Sequence, residues 1–282
     1  MKKYKEKIMQ GVFLVSACTS ILAVLLICIF LFANGIPTMK EIGFLDFLFG
    51  KTWRPGNNIY GILPMILGSI YVTAGAVIIG VPIGIFTAVF MARFCPKKLY
   101  RMMKPAVELL AGIPSVIYGF FGMVVLVPFI RVHLGGDGNS ILTASLLLGM
   151  MILPTIINVS EAAIRAVPES YYEGALALGA THERSVFFTV VPAAKSGIFA
   201  SVVLGIGRAL GETMAVIMVV GNQARMPKGL LKGVRTLTAN IVTEMGYAAD
   251  LHREALIATA VVLFIFILII NVSLSLIKRR SR

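Results

Sequence analysis

Apolar residues in this chain fall in long runs separated by short basic or Gly/Pro-rich segments. A bilayer core about 30 Å thick needs about 20 consecutive, mostly apolar helical residues, because a helix satisfies its own backbone in hydrocarbon. Six runs have that length: roughly Gly11 to Ala33, Gly61 to Ala92, Pro105 to Ile130, Ile141 to Ala163, Gly197 to Gly221 and Ala255 to Ile277. The second carries Pro82 between Gly80 and Gly84, which predicts a kink or tilt. The first follows Lys2, Lys3, Lys5 and Lys7 in the manner of a signal peptide. It exceeds the about 7–15 apolar residues of a signal core, so an uncleaved span is expected. Residues 34–60 are amphipathic, and Phe44, Leu45, Phe47, Leu48, Phe49 and Trp53 suit an interfacial helix on the outer face. Two roles remain open for it: an aromatic belt that anchors the bundle, or a part in handling substrate.

The basic residues set the orientation. With the amino terminus inside, the inner segments hold Lys2, Lys3, Lys5, Lys7, Arg93, Lys97, Lys98, Arg101, Lys104, Arg165, Arg184, Lys195, Lys278, Arg279, Arg280 and Arg282. The outer segments hold Lys40, Lys51, Arg54, Arg131, Arg225, Lys228, Lys232, Arg235 and Arg253. Positive charge favours the cytoplasmic side, which puts both termini there and requires an even number of spans.

Composition agrees. Of 282 residues, 58% are hydrophobic and 14% charged, with a mean hydropathy of +0.90. An average soluble domain is about 25% charged, and disorder needs low hydrophobicity, so both classes are excluded. The net charge of +13 would suggest nucleic acid in a soluble chain, whereas here it supplies the basic flanks of spans and no nucleic-acid partner is expected. Cys18, Cys28 and Cys95 have no ligand spacing, and His133, His182 and His252 are scattered, so no disulfide framework or metal site is expected. No G-x4-G-K-[ST] phosphate loop and no G-x-S-x-G elbow is present, and His182-Glu183 lacks the second zincin histidine because Val186 stands there. There is no short internal repeat and no inverted two-half pattern.

Between the fourth and fifth runs lies an inner segment, about 164–192, longer than a connector needs to be. Pro168 and Glu169 suit a helix start, Gly179 a left-handed cap, Thr181 the cap of a second helix, and Pro192 the start of the fifth span. Two short helices set at an angle at Gly179 are predicted. The apolar face of Tyr171, Tyr172, Ala175, Leu176 and Leu178 suits either docking into a cytoplasmic partner or lying on the membrane surface.

Two charges sit inside the fifth run. Arg208 and Glu212 are four residues apart, one helical turn on the same face. Each costs about 2.5–3.5 kcal/mol at a helix centre, so they need partners or a wet cavity. They form either a structural salt bridge or part of a polar path. In such a path Arg offers a planar fork to an oxyanion, and Glu neutralises Arg when the path is empty. Ser115 after Pro114 either satisfies the carbonyl that Pro frees or faces the path, and Thr213 is a further lining candidate. Glu108 and Glu161 are expected to pair with Lys104 or Arg165, and Asn158 and Asn271 to make interhelical hydrogen bonds.

Glu173-Gly174-Ala175-x3-Gly179-x9-Thr189-Val190-Val191-Pro192 resembles the E-A-A-x3-G-x9-I-x-L-P loop of type I ABC importer permeases, departing from it at Gly174, Thr189 and Val191. Gly205-Ile-Gly-Arg-Ala-Leu-Gly-Glu-Thr-Met-Ala-Val216 resembles the PstC-type permeases of phosphate importers, and Leu110-Ala-Gly-Ile-Pro-Ser-Val-Ile-Tyr-Gly119 resembles both PstC and its PstA paralogue. The resemblance implies an all-α, six-helix permease in the cytoplasmic membrane of a prokaryote, with a core at 61–282 after an N-terminal helix and outer segment at 1–60. It implies that Glu173, Gly174, Ala175, Gly179 and Pro192 couple to a separate ATPase. It further implies a PstA-like second permease, two PstB-like ATPase subunits that hold ATP and magnesium, and a PstS-like phosphate-binding protein. The outer loops near Asn57, Gly135 to Asn139 and Arg225 to Arg235 would receive that protein. The chain itself is expected to hold no cofactor and to catalyse nothing. Two alternatives stay open: a permease for molybdate or sulfate, and a non-transport membrane protein or enzyme with a structural Arg–Glu pair.

Overall fold

A computed structural model describes the backbone of residues 2–280 and the side chains of residues 6, 7 and 9–273. The basic side chains of Lys2, Lys3, Lys5, Lys278, Arg279, Arg280 and Arg282, on which part of the topology reading rests, lie outside these. Helix α1 (Lys2–Ile42) leads to α2 (Phe44–Phe49) and a small hairpin of β1 (Trp53–Arg54) and β2 (Ile59–Tyr60), then α3 (Leu63–Val89), α4 (Lys97–Gly112), α5 (Ser115–Phe121) and α6 (Val127–Leu134). There follow α7 (Ile141–Arg165), α8 (Glu169–Ala177), α9 (His182–Ser185), α10 (Val191–Ala193), α11 (Lys195–Gly211), α12 (Met214–Val219), α13 (Leu237–Glu244) and α14 (Asp250–Arg280). One-turn π segments at Phe90–Phe94, Gly122–Leu126 and Val186–Val190 extend α3 and join α5 to α6 and α9 to α10.

Among the described residues, five helical stretches are long and apolar enough to cross a bilayer: Met9–Ile42, Leu63–Phe94, Ser115–Leu134, Ile141–Arg165 and Asp250–Ser273. A sixth arises if His182–Ala193 and Lys195–Gly211, bent by 68° at Ala194, count as one span. Three boundaries differ from the sequence reading. The first helix continues through Pro37 to Ile42, because a proline in a long apolar helix removes one backbone bond that its neighbours compensate. The third run does not cross as one helix from Pro105: the chain turns extended at Ile113 and Pro114 and restarts at Ser115, as expected where the residue before a proline avoids helical torsions. The fifth run breaks at Glu212, whose ψ of 128° leaves the helix.

The central packing is α3 against α7. An ideal Cβ on Gly80 would stand 2.8 Å from the Gly149 carbonyl oxygen, and one on Gly84 would stand 2.7 Å from Ile156 Cγ2. Glycine at these positions lets the two backbones approach, as small residues do between membrane helices. Around this seam lies a core of Val72, Ala76, Leu147, Met151, Ile152, Val216 and Val219. The outer ring of α1 is different in kind: Phe13, Leu14, Ile21 and Leu22 are exposed, a surface that suits hydrocarbon.

The outer segment is not a simple interfacial helix. Phe44, Leu45 and Phe49 are exposed, but Phe47 and Trp53 are buried with Tyr60, Ile62, Leu237 and Leu256 in a separate core. The hairpin folds Trp53 inward, and Glu244 on α13 binds its indole Nε1–H at 2.8 Å. The aromatic run therefore divides between an exposed face and a packed cap against α3, α13 and α14.

Candidate functional site

The two helix breaks meet. Pro114 has no side chain able to cap, so α5 begins at Ser115 directly after the extended Ile113–Pro114 pair. Glu212 performs the capping for α12: its Oε1 accepts from the amides of Thr213 and Ala215, both at 3.2 Å. This is what an acidic side chain at a helix start does for unsatisfied amides. Just beyond each break the helices touch, since an ideal Cβ on Gly119 would lie 2.9 Å from Ala215 Cα. Thr213 Oγ1 donates to the Gly211 carbonyl at 3.2 Å, and Thr238 Oγ1 of α13 donates to the Glu212 carbonyl at 3.3 Å. Side-chain hydroxyls thereby satisfy the carbonyls of Gly211 and Glu212 at the second break, as irregular chain within a helical bundle requires.

Arg208 lies one turn before the second break, half-buried against the middle of α7, and its Nη1 donates to Thr155 Oγ1 at 3.2 Å. Glu212 does not share its helix face, because the helix ends at Gly211. Among the described residues no carboxylate lies within ion-pairing distance of Arg208. The structure thus replaces an intrahelical Arg–Glu pair with a guanidinium held by a neutral hydroxyl and a carboxylate spent on a helix cap. Ser115 and Thr213, half-buried, stand at the two breaks. This arrangement sets a guanidinium fork one turn before a helix break.

The inner elbow forms as its residues predict. Pro168 caps α8 rather than entering it, and Gly179 adopts φ +84°. The Thr181 hydroxyl accepts from the Arg184 amide at 3.3 Å to start α9. The helical run from His182 passes through Pro192 before bending at Ala194, so Pro192 precedes the fifth span instead of opening it. Glu173 and Gly174 are exposed on α8 and Ala175 is half-buried. Tyr171, Leu176 and Leu178 are exposed, whereas Tyr172 turns inward and its hydroxyl lies 2.7 Å from His182 Nδ1. Glu169, at the start of α8, takes both hydrogen bonds from Arg93 Nη1 at 2.9 and 3.1 Å. Val89, Ile164, Val186 and Val190 are buried together with Tyr172 of α8 packed against them, so α8 rests chiefly on the Val186–Val190 segment that leads to α11 and is tied to the end of α3 by Arg93.

Two buried charge clusters complete the picture. At the inner end of α7, Glu161 accepts from Tyr100 at 2.7 Å, Lys104 at 2.9 Å and Arg165 at 2.7 Å. Lys104 also reaches Asn158 at 2.9 Å and lies 3.9 Å from Glu108. These are the pairings expected for Glu108, Glu161 and Asn158, while Asn271 is exposed. At the opposite end of the bundle, beside the hairpin, Glu244 accepts from Trp53, pairs with Arg235, and lies 2.8 Å from His252 Nε2. Burial pushes the phenols of Tyr60 and Tyr247 above their ordinary pKa, with Glu244 adding to the effect on Tyr247. Sequence reasoning missed this cluster because its members come from four separate segments.

Residues 80–282 match the family described as "Binding-protein-dependent transport system inner membrane component". The chain is 39% identical over 275 residues to the "Probable ABC transporter permease protein YqgH" of Bacillus subtilis, covering 93% of this chain and 89% of that protein. It is 36% identical to the "Phosphate transport system permease protein PstC" of Mesorhizobium japonicum, covering 86% of this chain and 81% of that protein. Among solved structures, the "MetNI methionine ABC transporter" in its inward facing form superposes with a TM-score of 0.65 at 21% identity, over 82% of this chain and 100% of that one. At that identity the likeness establishes the fold.

Proposed function

We propose, proceeding from the fact that this chain belongs to the binding-protein-dependent transport system inner membrane component family, that it is the permease subunit of an ATP-driven inorganic phosphate importer. The observation that carries the reading is Arg208, a half-buried guanidinium in an apolar run with no carboxylate partner among the described residues, one turn before a helix break. An unneutralised cation inside a bundle is costly. A phosphate oxyanion offers the two acceptors that a guanidinium fork matches. A protonated phosphate oxygen can also donate to a carboxylate such as Glu212, which sulfate cannot do at neutral pH. Ser115 and Thr213 add hydroxyls along the same path.

Coupling enters at the elbow. A cytoplasmic ATPase that grips Glu173, Gly174, Ala175 and Gly179 moves α8. The Arg93–Glu169 bond and the buried valines then carry that motion to α3, α7 and, through Pro192, to α11 and Arg208. ATP-driven closure of the ATPase rocks the bundle and opens the path outward, and hydrolysis resets it. ATP and magnesium belong to that separate subunit. In this reading both termini face the cytoplasm of a prokaryotic cell, a PstA-like permease forms the other half of the path, two PstB-like ATPases drive it, and a PstS-like binding protein docks on the outer loops.

The test is uptake of radiolabelled phosphate by the complete complex in liposomes. Arg208→Gln is expected to abolish uptake with assembly intact, and excess sulfate or molybdate to leave wild-type uptake unchanged. Normal uptake by the variant overturns the assignment of Arg208, and suppression of phosphate uptake by the other oxyanions overturns the assignment of substrate.

A further inference from the structure

At the inner face lies a cavity of about 630 Å³ whose lining includes Arg93, Lys97, Arg101, Lys104 and Arg165 and does not include Arg208. Five cations line one solvent-open cavity, and the nearby carboxylates neutralise only part of their charge. Glu161 is buried beneath Lys104 and Arg165, Glu169 is occupied by Arg93, and Glu108 stands 3.9 Å from Lys104. Lys97 and Arg101 are exposed and have no ion pair or side-chain hydrogen bond among the described residues. Arg93 Nε is buried without a partner. The cavity also lies at the start of α4, where Pro96 provides no side-chain acceptor for the first-turn amides.

Pro105 links this cavity to a second, more open groove of about 610 Å³, which runs along α4 past Glu108 and Leu109 to Ile113 and Pro114 at the first helix break. Leu109 and Met102 on α4 are among the most exposed apolar residues of the chain. A basic pocket that continues into a mostly apolar groove, with Glu108 as the one charged residue of the groove's lining, has the outline of a phosphate headgroup and its acyl chain.

We infer that the Arg93–Lys97–Arg101 cavity is a binding site for a phosphate group, carried on an anionic membrane lipid or free in the cytoplasm, distinct from the transport path at Arg208. The inference does not depend on which substrate the permease moves. Because Arg93 also holds Glu169 at the head of α8, an anion here competes for the residue that ties the elbow to α3, and so acts on the coupling loop itself.

The experiment uses the full-length chain purified in neutral detergent, with native mass spectrometry during titration by phosphatidylglycerol or phosphatidylcholine, and equilibrium dialysis against ³²P-labelled inorganic phosphate. The expected result is retention of phosphatidylglycerol over phosphatidylcholine, lowered about 30-fold in the Lys97→Gln/Arg101→Gln variant, roughly fivefold for each cation removed. A matched loss of two outer charges, Lys40→Gln/Lys51→Gln, leaves retention unchanged. If free phosphate is the ligand, dialysis shows binding that the same inner variant removes and phosphatidylglycerol gains no preference. Equal behaviour of the inner variant and the wild type toward both probes overturns the site, as does an equal loss in the outer variant. Because Arg208→Gln leaves this cavity intact, failure of the transport assignment and failure of this site are separately visible.

Discussion

Replacing Glu161 by Gln tests whether the inner charge cluster holds α4 against α7. The carboxylate is almost fully buried, with 2% of its side chain exposed, and receives hydrogen bonds from Tyr100, Lys104 and Arg165. Removing one member of a buried ion pair costs about 3–5 kcal/mol, because the remaining charge is left uncompensated. Here 28% of the Lys104 side chain and 45% of that of Arg165 are exposed, so both cations can recover water. Arg165 also keeps its bond to the Met91 carbonyl at 2.8 Å, and the new amide still accepts from Tyr100. The lower end of the range therefore applies, about 3 kcal/mol. Equilibrium unfolding of the purified chain in mixed micelles, titrated with dodecyl sulfate, measures it. The double variant Glu161→Leu/Lys104→Met removes the carboxylate and the less exposed of its two cations, leaving Arg165 to water and the Met91 carbonyl, and is expected to be less destabilised than Glu161→Gln, since paired apolar replacements are often neutral. A Glu161→Gln protein within about 0.5 kcal/mol of wild type refutes the reasoning, because surface-like pairs have that size.

Three further outcomes follow from the geometry. An ideal Cβ at either Gly174 or Gly179 meets nothing within 4 Å, so backbone conformation decides the sign. Gly174→Ala inside α8 is expected to stabilise by about 0.5–1 kcal/mol and slow amide exchange there, whereas Gly179→Ala at φ +84° is expected to cost about 1–2 kcal/mol and speed it; effects of equal sign contradict this. Glu244→Leu leaves Arg235, His252 and the indole of Trp53 without their shared acceptor and is expected to destabilise the outer cap by about 3 kcal/mol. Because Trp53 is the chain's single tryptophan, its emission reports the unfolding of that cap directly. Thr155→Val removes the hydroxyl that holds Arg208 at nearly constant volume; a loss of about 1.5 kcal/mol is expected, roughly a tenfold rise in the phosphate concentration for half-maximal uptake, with assembly unchanged. An unchanged value shows that Thr155 does not position Arg208.

Much of the site was legible where its signal was local. Gly179, Thr181 and the Glu173-Gly174-Ala175 run lie within a dozen residues of each other, and cap preferences read from neighbours alone placed the elbow. Arg208 was legible as a charge in an apolar run. Its relation to Glu212 was not, because a spacing of four residues implies a shared face only while the helix continues, and capping α12 competes successfully for that carboxylate. The break at Ile113–Pro114 was not legible, because hydropathy averages α4 and α5 into one run with Pro114 inside it. The Glu244 cluster left no trace along the chain, since Trp53 and Glu244 are separated by 191 positions.

The amino-acid order alone determined the membrane class, the six apolar runs and the inner elbow. Hydrophobic length, basic flanks and cap chemistry are properties of short consecutive segments, and water and lipid act on them before any tertiary contact forms. Only the folded chain decided which runs stay whole, which carboxylate pairs with which cation, and that Trp53 is core rather than belt. Those outcomes depend on competition among partners far apart in sequence, and the winner is set by which donors and acceptors packing brings within 3 Å of one another.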